Sequence, residues 1–247
     1  MEELRQNPIV LCIRNEDPDR ALEGTRAALD GGLRVIEVTL TTPNALQIIS
    51  KLSQDPRAIV GAGTLLSEED PQKVVEAGGR FGLSPVCDPK VMEAARKAEI
   101  FFAPGTSTPS EIVRAHQLGA EVVKVFPIGP LGGPDFIRAV RGPLPHIPLL
   151  PTNGVSLANL PEYFKAGVFA VGVGREVLDP QDLQAPPQSA GAVRVRGLHL
   201  PHPAAPVRAV APDAGVRALT GLGSDAVKAR AGASSPAVLD TLQRAAL

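Results

Sequence analysis

Two patterns of apolar and polar positions take turns along the first 175 residues. Short apolar, β-rich runs recur as PIVLCI, RVIEV, AIVGAG, RFGLS, IFFAP, EVVKVF, IPLLPT and VFAVGVG. Between them stand amphipathic stretches at helical spacing, among them DPDRALEGTRAAL, TPNALQIISKL, DPKVMEAARKA, TPSEIVRAHQLG and SLANLPEYFKAG. Several open on Ser, Thr or Asp followed closely by Pro, the chemistry of a cap and first helical turn. Several end in Gly, the chemistry of a C-terminal cap. Eight strands thus alternate with seven helices. Strands that are almost wholly apolar, each followed by a helix, belong in a parallel sheet covered on its outer face. Eight such units predict an α/β fold of the (β/α)8 TIM-barrel type. The alternative is an open doubly wound sheet, but its glycine fingerprint is missing from the first β-α turn, CIRNEDPDR.

From about Asp179 the pattern stops. Residues 180–247 hold eight prolines, no aromatics and no glutamates. The expectation is a barrel over 1–179 and an atypical Pro/Ala/Arg-rich extension over 180–247, largely irregular. One capped amphipathic stretch, at 235–247, is expected to form a terminal helix that covers the barrel in place of the missing eighth.

Composition narrows the function. The chain has 247 residues and a formal net charge of −1, so its balance makes no case for nucleic-acid or acidic-membrane partners. Cys12 and Cys87 are too few and too isolated for a disulfide framework or a zinc site, and are read as packing residues. His116, His146, His199 and His202 make no metal constellation. MEELRQNPIV lacks the parts of a signal peptide, and no apolar run nears the length of a membrane span. A soluble cytoplasmic protein is expected.

In a barrel of this kind the active site forms at the C-terminal ends of the strands. Polar residues embedded in apolar strands are therefore the candidates. Lys124 lies among Val122, Val123, Val125 and Phe126, whereas the other six lysines occupy helical or loop segments. A lysine desolvated there becomes a nucleophilic amine; the alternative is a strand-end lysine reaching water. Glu37, in VIEVTL, shares a strand face with Val35 and Thr39, while Ile36 and Val38 face the helices. It reads either as a proton shuttle for an inward lysine or as half of a structural ion pair. Arg14, Thr64 and Thr152 end strands and suit a small carboxylate, or else are a solvated charge and turn caps. The turns PTNGVS and VGVGRE offer Asn153, Gly154, Gly174 and Arg175 as an anion site.

With GGLRVIEVTL, IVGAGTLL, FGLSP, FFAPGTSTPSE, EVVKVFP, GGPDFIRAVRGP, PTNGV and AGVFAVGVG in order, the chain from about Pro8 to Leu178 closely resembles the family of 2-keto-3-deoxy-6-phosphogluconate (KDPG) and 4-hydroxy-2-oxoglutarate (KHG) aldolases. The resemblance implies a class I aldolase with Lys124 as the Schiff-base residue and Glu37 as general acid/base. It implies that Arg14, Thr64, Thr152, Pro85 and Phe126 contact the substrate, with phosphate at Asn153, Gly154, Gly174 and Arg175. It further implies a metal-free, cofactor-free homotrimer acting on a small phosphorylated keto acid. The alternative is a catalytically compromised barrel that binds a phosphorylated ligand or serves as a trimeric structural unit.

The chain departs from the family at three places. Many members carry Arg where Thr41 stands in TLTTP, which leaves Arg14 to serve alone. Many read PTGG where this chain has PTNG, and a small residue where Arg175 stands. Asn153 tolerates left-handed dihedrals, so the turn is expected to survive.

Overall fold

In the computed structural model of the chain, residues 2–174 are described. Arg175, the extension expected over 180–247 and its terminal helix at 235–247 lie outside the described residues. A short helix not anticipated from the pattern, α1 (Glu2–Gln6), comes first. Then follow β1 (Ile9–Ile13), α2 (Pro18–Asp30), β2 (Val35–Thr39), α3 (Ala45–Leu52), β3 (Ile59–Gly63), α4 (Asp70–Glu76), β4 (Phe81–Leu83) and α5 (Pro89–Lys97). The second half runs β5 (Phe101–Ala103), β6 (Gly105–Thr106), α6 (Pro109–Gln117), β7 (Val123–Val125), α7 (Pro134–Arg141), β8 (Leu149–Pro151), α8 (Leu160–Lys165) and β9 (Val171–Val173).

The helix starts follow from their caps. Asp17 accepts from Asp19 N and Arg20 N ahead of α2, and Asp88 accepts from Lys90 N ahead of α5. Thr108 and Glu111 exchange hydrogen bonds in a capping box at α6, and each of these three helices begins with proline. Behind α6 and α8 the chain turns through Gly119 (φ 97°) and Gly167 (φ 84°), where a Cβ would be strained.

All strand pairs are parallel, in an α/β fold whose sheet curls into a half-barrel. One sheet has the order β5-β4-β3-β2-β1-β9, the other β6-β7-β8. The fifth apolar run, IFFAP, forms the single strand β5 and ends at Pro104, beyond which the two-residue β6 is an addition to the eight expected strands. Proline has no N–H for the ladder, so β5 stays paired with β4 while β6 pairs with β7. The Pro104 carbonyl still accepts from Lys124 N at 2.9 Å. On the other flank Thr152 bridges Gly172, and Phe169 N donates to Leu149 O at 3.0 Å.

Strand alternation separates two apolar clusters. Ile36 and Val38 of β2 and Val123 and Val125 of β7 pack with helix residues such as Ile48, Ile112 and Ile137. Val10, Val35, Leu83, Val122 and Leu150 form the second cluster, joined by Leu4 of α1. Burying each such side chain contributes about 1.5–3 kcal/mol. That is ample to hold a few polar residues at the upper rim of the inner face. Among the described residues no helix is long and apolar enough to cross a membrane.

Candidate active site

Strand phase decides which polar side chains point inward. Lys124 stands two residues beyond Val122, and Glu37 two beyond Val35, so both share the inner face with that cluster. Lys124 is 5% exposed and Glu37 2%. Lys124 Nζ lies 3.8 Å from Glu37 Oε1. It also stands 5.5 Å from the centroid of the Phe126 ring, whose face attracts a cation. Removing one partner from a buried ion pair leaves an uncompensated charge and costs about 3–5 kcal/mol. An amine and a carboxylate this close, shielded from water, are placed to pass a proton by way of a small intervening group.

Two neighbours hold the carboxylate in position, and neither was among the expected site residues. Cys12, opposite Glu37 in the β1–β2 register, has its Sγ 2.7 Å from Glu37 Oε2 and donates to it. The packing role expected for Cys12 therefore needs correcting, because its strand phase turns it onto the inner face beside a carboxylate. On the other side Gly63 leaves a vacancy. A Cβ there would overlap Glu37 Oε1 and lie 2.5 Å from Cδ. Cys87 does fit a packing role: burial pushes its thiol up, and its Sγ contacts Met92 Sδ at 3.7 Å.

Arg14 extends the inner row of β1. Its guanidinium donates to Thr41 Oγ1 at 2.8 Å and to Thr64 Oγ1 at 3.3 Å. Thr41 in turn lies 3.1 Å from Thr39 Oγ1. Thr41 carries no charge of its own, and its hydroxyl holds the Arg14 guanidinium in place. Thr64 has φ 63°, an uncommon conformation for a β-branched residue and one that costs about 1–3 kcal/mol. Such strain, at the end of a strand and next to a guanidinium, is the kind that clusters at ligand sites.

Thr152 continues the inner row of β8 beyond Leu150, and its N–H donates to Val125 O at 2.9 Å. Its Oγ1 is buried and has no hydrogen-bond partner among the described residues. A buried hydroxyl left so is destabilising until a ligand or water satisfies it. Asn153 and Gly154 follow with φ 70° and 96°, the left-handed turn expected of them. The turn is tied to its surroundings by Gly129 N on Asn153 O at 2.8 Å and by Asn159 Nδ2 on Gly154 O at 2.9 Å. Gly174 follows β9 directly, and Arg175 is outside the described residues. Pro85, just past β4, borders a cleft together with Cys87, Thr106, Glu111 and Arg114. Among the described residues no group of three or more His, Cys, Asp or Glu could hold a metal ion.

The structure therefore brings Lys124, Glu37 and Phe126 into one cluster, with Lys124 and Glu37 at the middle of their strands, and ties Arg14 to Thr64 just past the ends of β1 and β3. Cys12 and Gly63 were legible only in part. Alternation from Val10 points Cys12 inward, and the two glycines of IVGAG share a face on the strand beside Glu37.

Known proteins resemble the chain in sequence and in fold. The family described as KDPG and KHG aldolase matches residues 1–190. The 2-dehydro-3-deoxy-phosphogluconate aldolase of Pseudoalteromonas atlantica is 37% identical over 159 residues, 64% of this chain and 74% of that protein. The KHG/KDPG aldolase of Escherichia coli K12 is 36% identical over 161 residues, 65% of this chain and 76% of its own length. Among solved structures, the KDPG aldolase of Legionella pneumophila, with pyruvate captured at low pH as a covalent carbinolamine intermediate, superposes with a TM-score of 0.67 at 31% identity. That superposition covers 73% of this chain and 88% of the other. By sequence and by fold, this chain belongs to the KDPG and KHG aldolase family.

Proposed function

We propose that this chain is a class I aldolase that cleaves 2-keto-3-deoxy-6-phosphogluconate to pyruvate and D-glyceraldehyde 3-phosphate. We extend the proposal to 4-hydroxy-2-oxoglutarate, which would give pyruvate and glyoxylate. The observation that carries it is the buried pair: Lys124 Nζ and Glu37 Oε1, 3.8 Å apart on facing strands.

In this reading the Arg14 fork, steadied by Thr41 and Thr64, takes the substrate carboxylate and brings the C2 ketone to Lys124. The neutral amine adds to C2, and loss of water from the carbinolamine leaves an iminium. That cation accepts the electron pair of the C3–C4 bond as Glu37 takes the C4 hydroxyl proton. The aldehyde departs. The enamine is protonated at C3, and hydrolysis of the iminium releases pyruvate and frees Lys124. Phosphate rests on the turn at Asn153–Gly154 and on Gly174, with Arg175, outside the described residues, assigned to the same anion, and Thr152 Oγ1 finds its partner in the substrate. Phe126 and Pro85 shield the site from water.

The same proposal includes a closed (β/α)8 barrel, supported by the Thr152–Gly172 bridge and by the Phe169-to-Leu149 hydrogen bond on the flank where β8 meets β9. A cytoplasmic homotrimer working without a metal or cofactor completes it. The test is direct: the purified chain is fed KDPG, and pyruvate is followed by NADH oxidation with added lactate dehydrogenase. Turnover that disappears in Lys124→Arg supports the reading, since a guanidinium stays protonated and cannot attack. No pyruvate from the folded wild-type chain would overturn it.

A further inference from the structure

We propose that Cys12 is a positioning residue for the proton transfer, its thiol fixing the carboxylate of Glu37 in the orientation that the aldol cleavage needs. The inference rests on the aldolase reading for its consequence in turnover, and on geometry for its cause.

A carboxylate on a buried strand can rotate about its last bond, and its two oxygens are equivalent until their surroundings distinguish them. Three neighbours do so here. From β7, Lys124 faces Oε1 at 3.8 Å. From β3, the vacancy at Gly63 lets that oxygen settle against the backbone, where any Cβ would collide with it. From β1, Cys12 Sγ donates to Oε2 at 2.7 Å. Lys124 is the charged group that faces the carboxylate and Cys12 the titratable donor beside it. The β1–β2 register makes the last contact systematic, because Cys12 and Glu37 are direct partners in the ladder.

The consequence is a division of labour between the two oxygens. Oε2 is occupied by the thiol, so Oε1 is the one turned toward Lys124 and toward the substrate bound to it. The thiol donates only while it carries its proton, and it stabilises the carboxylate in its charged form. That is the form able to take the C4 hydroxyl proton. Without the donor, the carboxylate samples orientations in which neither oxygen faces the substrate.

Two substitutions separate this role from packing. Cys12→Ser keeps a donor, whereas Cys12→Val keeps a strand-forming side chain of similar bulk and removes the donor. A positioning role predicts that Cys12→Val lowers kcat roughly threefold to tenfold, the scale of a weak donor to a charged acceptor. KM should stay near the wild-type value. Cys12→Ser should restore kcat. The link from thiol to carboxylate is also read without substrate. In ¹³C NMR at one fixed pH the Glu37 carboxyl resonance should move in Cys12→Val and return to the wild-type position in Cys12→Ser. Should Cys12→Val melt early, Cys12→Ala replaces it as the donor-free variant.

The opposite ranking, with Val active and Ser impaired, would assign Cys12 to packing and overturn the proposal. So would equal losses in both variants, or a Glu37 carboxyl resonance that no variant moves. Failure of the aldolase reading looks different: the wild-type chain itself releases no pyruvate, whereas the carboxyl resonance still reports on Cys12.

Discussion

Replacing Gly63 with alanine adds a single methyl group at the closest point to the proposed acid/base. Gly63 ends β3 as the register partner of Thr39, beside the strand that bears Glu37. The added Cβ would overlap Oε1 and sit 2.5 Å from Cδ and 2.8 Å from Cγ of Glu37. Non-bonded carbons settle at about 3.5–4.0 Å, so the carboxyl carbon must retreat by about 1 Å. It cannot swing freely aside, because Cys12 holds Oε2 and Lys124 stands 3.8 Å from Oε1. A displacement of about 1 Å in a catalytic group costs on the order of 10²-fold in rate. The strain of overpacking should also remove about 1–3 kcal/mol of stability. The expected result is a folded Gly63→Ala protein, melting several degrees lower, with kcat for KDPG cleavage down by roughly two orders of magnitude. The Lys124 adduct with pyruvate should still be trapped, because the methyl group presses on Glu37 and not on the amine. Near-normal kcat in folded Gly63→Ala would refute the reasoning, since the carboxylate could then move by an ångström without consequence.

Glu37→Gln keeps the shape and removes the base, so kcat should drop by roughly 10²–10⁴ while pyruvate is still trapped; near-normal turnover would leave Glu37 a structural residue. Thr41→Val takes away the 2.8 Å support of Arg14, and KM for the keto acid should rise roughly threefold to tenfold with kcat less affected; an unchanged KM would leave the guanidinium independent of Thr41. Exhaustive EDTA treatment should leave turnover intact, because the proposed electron sink is the Lys124 iminium. Loss on chelation with rescue by a divalent ion would overturn that route.

The sequence was most legible where a short period repeats. Two-residue alternation in VIEVTL divides Ile36 and Val38 from Val35 and Glu37, and the same division appears in the two apolar clusters. A lysine embedded in EVVKVF stands out for the same reason. The capped starts of α2, α5 and α6 were equally plain, because Asp-Pro and Thr-Pro act locally. What escaped notice depends on contacts distant along the chain. Cys12 meets Glu37 only once the β1–β2 register is set, 25 residues apart in sequence. The space over Gly63 has meaning only when a neighbouring carboxylate fills it. Thr41 read as a lost arginine, whereas its hydroxyl supports Arg14 across 27 residues. The break at Pro104 was visible as a proline, but not as the point where strand pairing passes from one sheet to the other. Five-residue α1 is too short for periodicity to signal, and its Leu4 earns a place by packing beneath Val10 and Val35.

The central claim is that Lys124 forms the Schiff base, and reductive trapping tests it most directly. The wild-type chain is incubated with pyruvate and sodium borohydride, digested, and mapped by mass spectrometry. The account predicts a single reduced pyruvyl adduct on the peptide bearing Lys124, absent without pyruvate and absent in Lys124→Arg. An adduct on any other lysine, or none on the folded protein, would contradict it.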